Sequence, residues 1–454
     1  MKYKQRESWK SRLGFILAAL GSAVGLGSIW RFPYIVGENG GAIFILVYIF
    51  CLIIIGFPVL VAEILIGRTA QSSPYGSFRV LGRNKYWGGA GSLAVITGFI
   101  NSSFYSVVAG WSLGYFIEAL RGNLSHFAKA NEATLYFQSL NSSSFWTVGF
   151  HFLFLLISLA VIFLGVRKGI EAGNKIMMPL LIIVLIFLVI KGLAMSGAYK
   201  SFKFLFYPNW HDINSKMILI ALGQAFFSLS LGQGTMITYG SYLSRNEDIP
   251  RSCFPVVLLN TIIALMIGFA VFSVVFTVDM QPSAGTALVF ETLPIVFSQI
   301  SGGYQLSILF FFLITVAALT SEISALEPVI SYFIDEKGYS RKKASFITVS
   351  GAFILGIPCA LSFGLIKGFT IFNMNFFEML STFAVNILVP LGGFFAVILV
   401  AWRWGIKEAF ENLKVSHLSY FHKRPILYSY FFFCLKYASP ILIILILLNI
   451  IGIY

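Results

Sequence analysis

Two short runs of small residues hold the groups in this sequence best suited to recognising ions: Gly21-Ser22-Ala23-Val24-Gly25-Leu26-Gly27-Ser28 and Ser228-Leu229-Ser230-Leu231-Gly232-Gln233-Gly234. Each lies inside a stretch otherwise apolar enough to cross a membrane as a helix. Glycine and serine there favour unwinding, and unwound backbone at membrane depth is tolerated only where it lines a protein-enclosed site. A helix broken in this way exposes N–H groups on one half, which suit a carboxylate, and C=O groups on the other, which suit a cation. The chemistry on offer is binding rather than bond-breaking. The competing reading is close helix packing through glycine, as in GxxxG contacts, and composition alone does not separate the two.

Other residues could serve such a site. Asn101 lies four residues before Tyr105, so both share one helix face. Ser321, Glu322 and Ala325 form an i, i+1, i+4 stripe on another helix. Glu63 and Glu322 are carboxylates within apolar stretches, costly unless paired or hydrated, and such groups mark a functional site by default. Catalytic patterns are missing: no helix pairs Asp with Asp, or His with Glu and His, and His126, His151, His211, His417 and His422 fall mostly in loops or at span ends. Cys51, Cys253, Cys359 and Cys434 form no CxxC and read as small core residues. An enzyme is not expected. A receptor of amino acids, the alternative of another class, would need a ligand-binding ectodomain or signalling module, and neither is evident.

The elements that must hold these residues follow from composition. Of 454 residues, 58% are hydrophobic and only 11% charged, far from the quarter-charged make-up of soluble domains. Hydropathy and turn punctuation predict eleven membrane helices, near 12–37, 42–69, 88–120, 146–165, 170–192, 216–241, 252–277, 304–334, 342–364, 372–402 and 427–452, in one integral domain over 1–454. Ala284 to Gln299, apolar but broken at Pro294, reads as a re-entrant or surface helix. Alternate loops, from Lys2–Arg12 to Arg403–Arg424, carry about 23 Lys and Arg against about 7 in the others, which predicts a cytoplasmic N-terminus and an extracytoplasmic C-terminus. The net charge of +14 is thus a matter of topology and not of nucleic acid. No small-residue cleavage site closes the basic start before Arg31-Phe32-Pro33, so the first apolar stretch is read as a retained helix and not a signal peptide. The two interrupted helices are the first and sixth. Matching interruptions in two five-helix halves, 12–192 and 216–402, point to inverted repeats with a site at the midplane.

At these residues the sequence resembles the neurotransmitter:sodium symporter family. The likeness is carried by Arg6-Glu7-Ser8-Trp9, Arg12-Leu13-Gly14-Phe15, Gly21 to Gly27, Trp30-Arg31-Phe32-Pro33 and Glu38-Asn39-Gly40-Gly41, then by Gly223 to Gly232 and Ala318-Leu319-Thr320-Ser321. The resemblance implies the LeuT fold, an all-α integral membrane protein with 5+5 inverted repeats and helices one and six broken. It also implies sodium-coupled symport of an amino acid across the cell membrane by alternating access, with the lipid bilayer and the substrate as its partners and no obligate protein partner.

Residue by residue, the resemblance assigns the Leu26 and Gly27 amides and the Tyr105 hydroxyl to the substrate carboxylate. It assigns carbonyls of Ala23, Phe227 and Ser228 and the Ser230 hydroxyl to the ammonium. Gly25 leaves room for a carboxylate where amine carriers of the family place Asp. Asn101, Gln233, Ser321, Glu322 and Ala325 would line the side-chain subsite, with Glu322 favouring a cationic or long polar amino acid such as lysine, arginine or ornithine over leucine. The alternative for Glu322 is that it faces a neighbouring helix. A second sodium site maps onto carbonyls of Gly21, Val24 and Ala317 and hydroxyls of Thr320 and Ser321. A first sodium site maps onto Ala23, Ser28, Ser228 and Asn260, but Ser28 stands where the family has Asn, so sodium is expected mainly at the second. The family's chloride position would involve Tyr48, Gln224, Ser228 and Ala264, and Ala264 can neither bind an anion nor supply a charge, so no chloride requirement is expected. Gates map onto Arg31 with Glu378, one turn before Ser381, and onto Arg6, Trp9, Ser241, Tyr242 and Asp335. Gly169 and Pro179 are similar to a Gly-nine-Pro pattern that, by the resemblance, lets the inner end of helix five unwind and hydrate the second sodium site. A proton-driven or sodium-independent carrier of the same fold is the rival reading.

Overall fold

The computed structural model describes residues 6–127, 130–278, 280, 289–413 and 425–450. In hydrocarbon every backbone N–H and C=O must be satisfied within the chain, which a helix does locally. The described apolar runs accordingly form helices. Nine are long and apolar enough to span on their own: helix two Ala42–Ala70, three Lys85–Leu120, four Ser144–Phe163, five Val166–Leu193, seven Ile249–Thr277, eight Gly303–Lys337, nine Arg341–Leu361, ten Phe376–Arg403 and eleven Pro425–Asn449. Helix one is in two parts, Arg12–Ala23 and Gly27–Glu38, bent by 51°. Helix six is Ser215–Ser228 followed, after a break, by Thr235–Ser241.

Helix ten starts later than its hydropathy indicates. Phe372 and Asn373 adopt φ of 53° and 60°, so Thr370–Ile371 turns back on Met374–Asn375 as a two-stranded antiparallel hairpin. Asn375 and Glu378 then cap the helix reciprocally. Of the expected 284–299 segment, Thr292–Gln299 is a short helix packed into the protein and 284–288 lie outside the described residues.

Both interruptions are real backbone breaks, and they touch. Helix one leaves helical geometry at Val24 (φ −85°, ψ 77°) and resumes as a π-helical turn, Gly27–Arg31. In helix six Ser230 takes φ 53°, and Gly232 and Gly234 take 77°. The Ser230 hydroxyl donates to the Ser22 carbonyl at 2.9 Å, tying one break to the other. Glycine is required at 232 for space as well as for φ: a Cβ there would run into the Val389 carbonyl of helix ten. The Gly232 N–H freed by the break donates to Glu63 Oε1 at 2.7 Å, so the buried helix-two carboxylate satisfies it.

Candidate functional site

A cavity of about 30 Å³ lies at the two breaks, lined by Ser22, Ala23, Gly25, Gly27, Asn101, Tyr105, Phe227, Ser230, Leu231, Gln233, Ser321, Ala325 and Val389. Ten of the thirteen residues expected to bind substrate are therefore brought together. The other three are placed differently. Leu26 lines a larger space above, but its amide donates to the Tyr105 hydroxyl at 3.0 Å, at the mouth of the cavity. Ser228, expected to act through its carbonyl, does not line the cavity, and its side chain meets Tyr48, with their hydroxyls 2.9 Å apart.

Glu322 does not line the cavity, which corrects the expectation that it meets a substrate side chain. It is fully buried and turned toward Ser102 of helix three, with both carboxylate oxygens short of a well-formed hydrogen bond. The polar group at this end of the cavity is an amide pair instead: Asn101 Nδ2 donates to Gln233 Oε1 at 2.7 Å, and Asn101 Oδ1 is left buried without a partner. Glycine at 25 lets the Ser321 and Tyr105 hydroxyls close in on the break, since a Cβ would overlap the Ser321 hydroxyl and lie 2.7 Å from the Tyr105 hydroxyl. Ser22, Leu231 and Val389 were missed; Ser22 and Leu231 stand within the quoted runs, whereas Val389 has no signal of its own.

Beside the cavity two clusters hold more oxygens than protons. In the first, Ser321 Oγ lies 3.1 Å from the Gly21 carbonyl and 3.0 Å from that of Ser22, and Thr320 Oγ1 donates to the Ala317 carbonyl at 2.9 Å. All of these but Ser22 belong to the second-sodium set, with Val24 buried at the break beside them. In the other, Ser28 Oγ lies 3.2 Å from the Ala23 carbonyl and 3.1 Å from Asn260 Oδ1, two acceptors for one hydroxyl proton. A hard cation takes carbonyl and hydroxyl oxygens, so the donor sets of both clusters fit sodium.

A profile of the Sodium:neurotransmitter symporter family matches residues 6–144 and 138–454. The chain belongs to this family. It is a transporter and not an enzyme. It is 35% identical to the sodium-dependent transporter YhdH of Bacillus subtilis (strain 168) over 453 residues, covering 100% of this chain and 99% of that protein. It is 34% identical to a sodium-dependent transporter of Haemophilus influenzae, covering 98% of each. Among solved structures, MhsT in complex with L-phenylalanine superposes with a TM-score of 0.89 at 40% identity, covering 98% of this chain and 100% of that one. The fold is thus the LeuT fold of sodium-dependent symporters.

In this symporter the two faces are unlike. Opposite the basic loops a vestibule of about 1190 Å³ opens, lined among others by Trp30, Arg31, Trp111, Phe290 and Glu378, and it meets the cavity at Tyr105 and Phe227. The expected Arg31–Glu378 pair is not formed. Glu378 is engaged in its capping box, while the Arg31 guanidinium rests 4.9 Å from the Phe227 ring centre and its Nη1 is buried without a partner.

On the basic face the chain is sealed. Arg6 reaches Asp335 at 2.6 Å and Ser241 Oγ at 2.7 Å, and lies over the Tyr242 ring. Trp9 Nε1 donates to the Tyr239 carbonyl at 3.0 Å. Sequence reasoning missed a second layer here, Arg341 gripping the buried Glu327 through two bonds of 2.9 and 2.8 Å while the Tyr242 hydroxyl donates to Glu327 at 2.7 Å. Glu327 beside Pro328, in a span, was its available signal.

Proposed function

We propose that this chain couples sodium to the uptake of an amino acid into the cell, with the basic face cytoplasmic. The observation that carries the reading is the oxygen-rich cluster of Gly21, Ser22, Ala317, Thr320 and Ser321 set against a cavity whose mouth holds Tyr105 and the Leu26 amide. A cation in that cluster sits next to the amide and hydroxyl donors that suit a carboxylate, so each ligand favours the other's binding. Gly25 leaves that carboxylate its space. MhsT, solved with L-phenylalanine, supports an α-amino acid as the class of substrate.

For the side chain, the free Asn101 Oδ1 and the Gln233 amide favour a polar group that can donate a hydrogen bond, ahead of leucine. A formal positive charge gains little, because Glu322 is turned to helix three. Sodium acts mainly through the Thr320 and Ser321 cluster, and Ala264 leaves no chloride requirement.

Uptake of labelled amino acids into proteoliposomes, with an inward sodium gradient or with potassium, tests this. Parent protein should concentrate a polar amino acid only with sodium. Thr320→Ala with Ser321→Ala should raise the half-saturating sodium concentration by at least about tenfold, the equivalent of roughly 1.4 kcal/mol. Full sodium-dependent uptake by the double variant would overturn the site, and parent uptake that ignores sodium but follows a pH gradient would hand the function to a proton-driven carrier.

A further inference from the structure

Helix five passes behind the Thr320–Ser321 cluster and presents Asn174 to it. Asn174 is fully buried, its Nδ2 donates to the Ile170 carbonyl one turn back at 2.9 Å, and its Oδ1 has no hydrogen-bond partner. That oxygen lies directly over Gly21: a Cβ on Gly21 would overlap Asn174 Oδ1 and come within 3.2 Å of both Asn174 Cγ and Thr320 Cβ. The amide oxygen and the Thr320 side chain thus flank the same glycine whose carbonyl already belongs to the cluster.

A buried carbonyl oxygen without a donor is costly, and its neighbours cannot supply one. The Thr320 hydroxyl donates to Ala317, and the Ser321 hydroxyl is shared between Gly21 and Ser22. An added oxygen in a place short of protons is what a cation, bare or carrying a water, would compensate. We propose that Asn174 Oδ1 belongs to the oxygen shell of the sodium site formed by Gly21, Thr320 and Ser321, a side-chain ligand from helix five that the resemblance did not assign. The inference rests on the function proposed above.

The placement also ties the ion to the seal on the basic face. Asn174 is aimed by its bond to Ile170, and Ile170 lies in the π-helical turn Val166–Glu171 that opens helix five. That turn is laced to the N-terminal segment: the Val166 N–H donates to Glu7 Oε2 at 2.6 Å, Arg167 Nε to the Ser8 carbonyl at 2.7 Å, and the Lys10 N–H to Glu171 Oε2 at 2.7 Å. Release of the N-terminal segment frees the turn, and with it the residue that holds the Asn174 amide in place. Loss of this oxygen from the shell then accompanies opening of the sealed face.

The test is the sodium dependence of amino-acid uptake in proteoliposomes, read at saturating substrate for parent, Asn174→Ala and Asn174→Asp. Asn174→Ala should raise the half-saturating sodium concentration about fivefold or more, shift the ratio of activities in sodium and lithium, and recover uptake near the parent level at high sodium. Asn174→Asp, the same size and still carrying an oxygen, should hold half-saturation at or below the parent value. A merely structural role would lower maximal uptake without moving the sodium–lithium ratio, and would overturn the proposal. So would a sodium curve within twofold of the parent for Asn174→Ala, or a weakened one for Asn174→Asp. If Asn174→Ala fails to fold, Asn174→Asp decides alone. An unchanged sodium curve in Thr320→Ala with Ser321→Ala would sink the site itself, whereas a shift there with none at Asn174 would sink only this assignment.

Discussion

A carboxylate inside hydrocarbon needs a reason, and the position of Glu322 narrows what the reason can be. It shares a helix turn with Ser321 and Ala325, both of which line the cavity, yet it is rotated onto Ser102 of helix three. A carboxylate that does not line the cavity makes no direct ion pair with a substrate side chain. Glu322→Gln should therefore change lysine and leucine uptake by the same factor; a selective loss of lysine of tenfold or more would show that the side chain swings into the cavity. Selectivity should respond instead to Asn101→Leu, which removes the hydrogen-bonding end of the subsite and leaves the Gln233 amide buried without Asn101, a change worth roughly 1–3 kcal/mol. Competition assays should show polar amino acids losing about tenfold against leucine, and an unchanged ranking would remove Asn101 from the selectivity account. At this scale the sequence was informative about membership of the site and poor about direction. Asn101, Gln233 and Ser230 sit where spacing and resemblance put them, but a 100° rotation between successive helix residues decides whether 321 or 322 faces a ligand, and only packing fixes that.

At the scale of elements, eleven spans were readable because a hydrocarbon layer demands about twenty apolar residues for each crossing and tolerates few charges. Both breaks were readable for the converse reason, since glycine and serine runs inside such a span stand out. Helix ten shows where hydropathy stops: it starts the span near 372, but left-handed backbone at Phe372 and Asn373 and the Asn375–Glu378 capping box set its start at Phe376. The same capping box engages Glu378 Oε2, and across the open vestibule Glu378 is not paired with Arg31. The break in helix six has a quantitative consequence. Gly232→Ala would place a Cβ against the Val389 carbonyl at φ 77°, costing about 1–2 kcal/mol for the backbone conformation alone and disturbing the Glu63 bond. Gly223→Ala, where a Cβ would meet nothing within 4 Å, is the matched control and should be neutral or slightly stabilising because alanine is the better helix former. Thermal unfolding in detergent should show a lowered midpoint for Gly232→Ala only; equal midpoints would mean that the break tolerates a side chain and is not held by this contact.

The described residues are open on one face and shut on the other, and the shut face is connected to the Thr320–Ser321 cluster by a line of hydrogen bonds. Trp9 holds the Tyr239 carbonyl, the Tyr239 hydroxyl donates to Ser324 Oγ at 2.7 Å, and Ser324 Oγ donates to the Thr320 carbonyl at 2.8 Å. Spatial continuity alone does not establish coupling, which requires an element with two arrangements that both ends can bias. We propose the N-terminal segment as that element: Arg6 and Trp9 fasten it to helices six and eight, and its displacement would uncover Ser324 from the basic face. Arg6→Ala removes the bonds to Asp335 and Ser241, charge-assisted contacts worth roughly 1.5–3 kcal/mol, so the open population should rise about ten- to a hundredfold. Ser324→Cys reports it, because the four native cysteines are buried and give a low background to a membrane-impermeant thiol reagent applied to the basic face. Labelling of Cys introduced there should be slow in the parent background, at least tenfold faster with Arg6→Ala, and slowed again by sodium, which favours the arrangement that keeps Thr320 and Ser321 in place. Faster labelling without protection by sodium would separate the seal from the ion site, and labelling at the parent rate would mean that Arg6 does not hold this face closed.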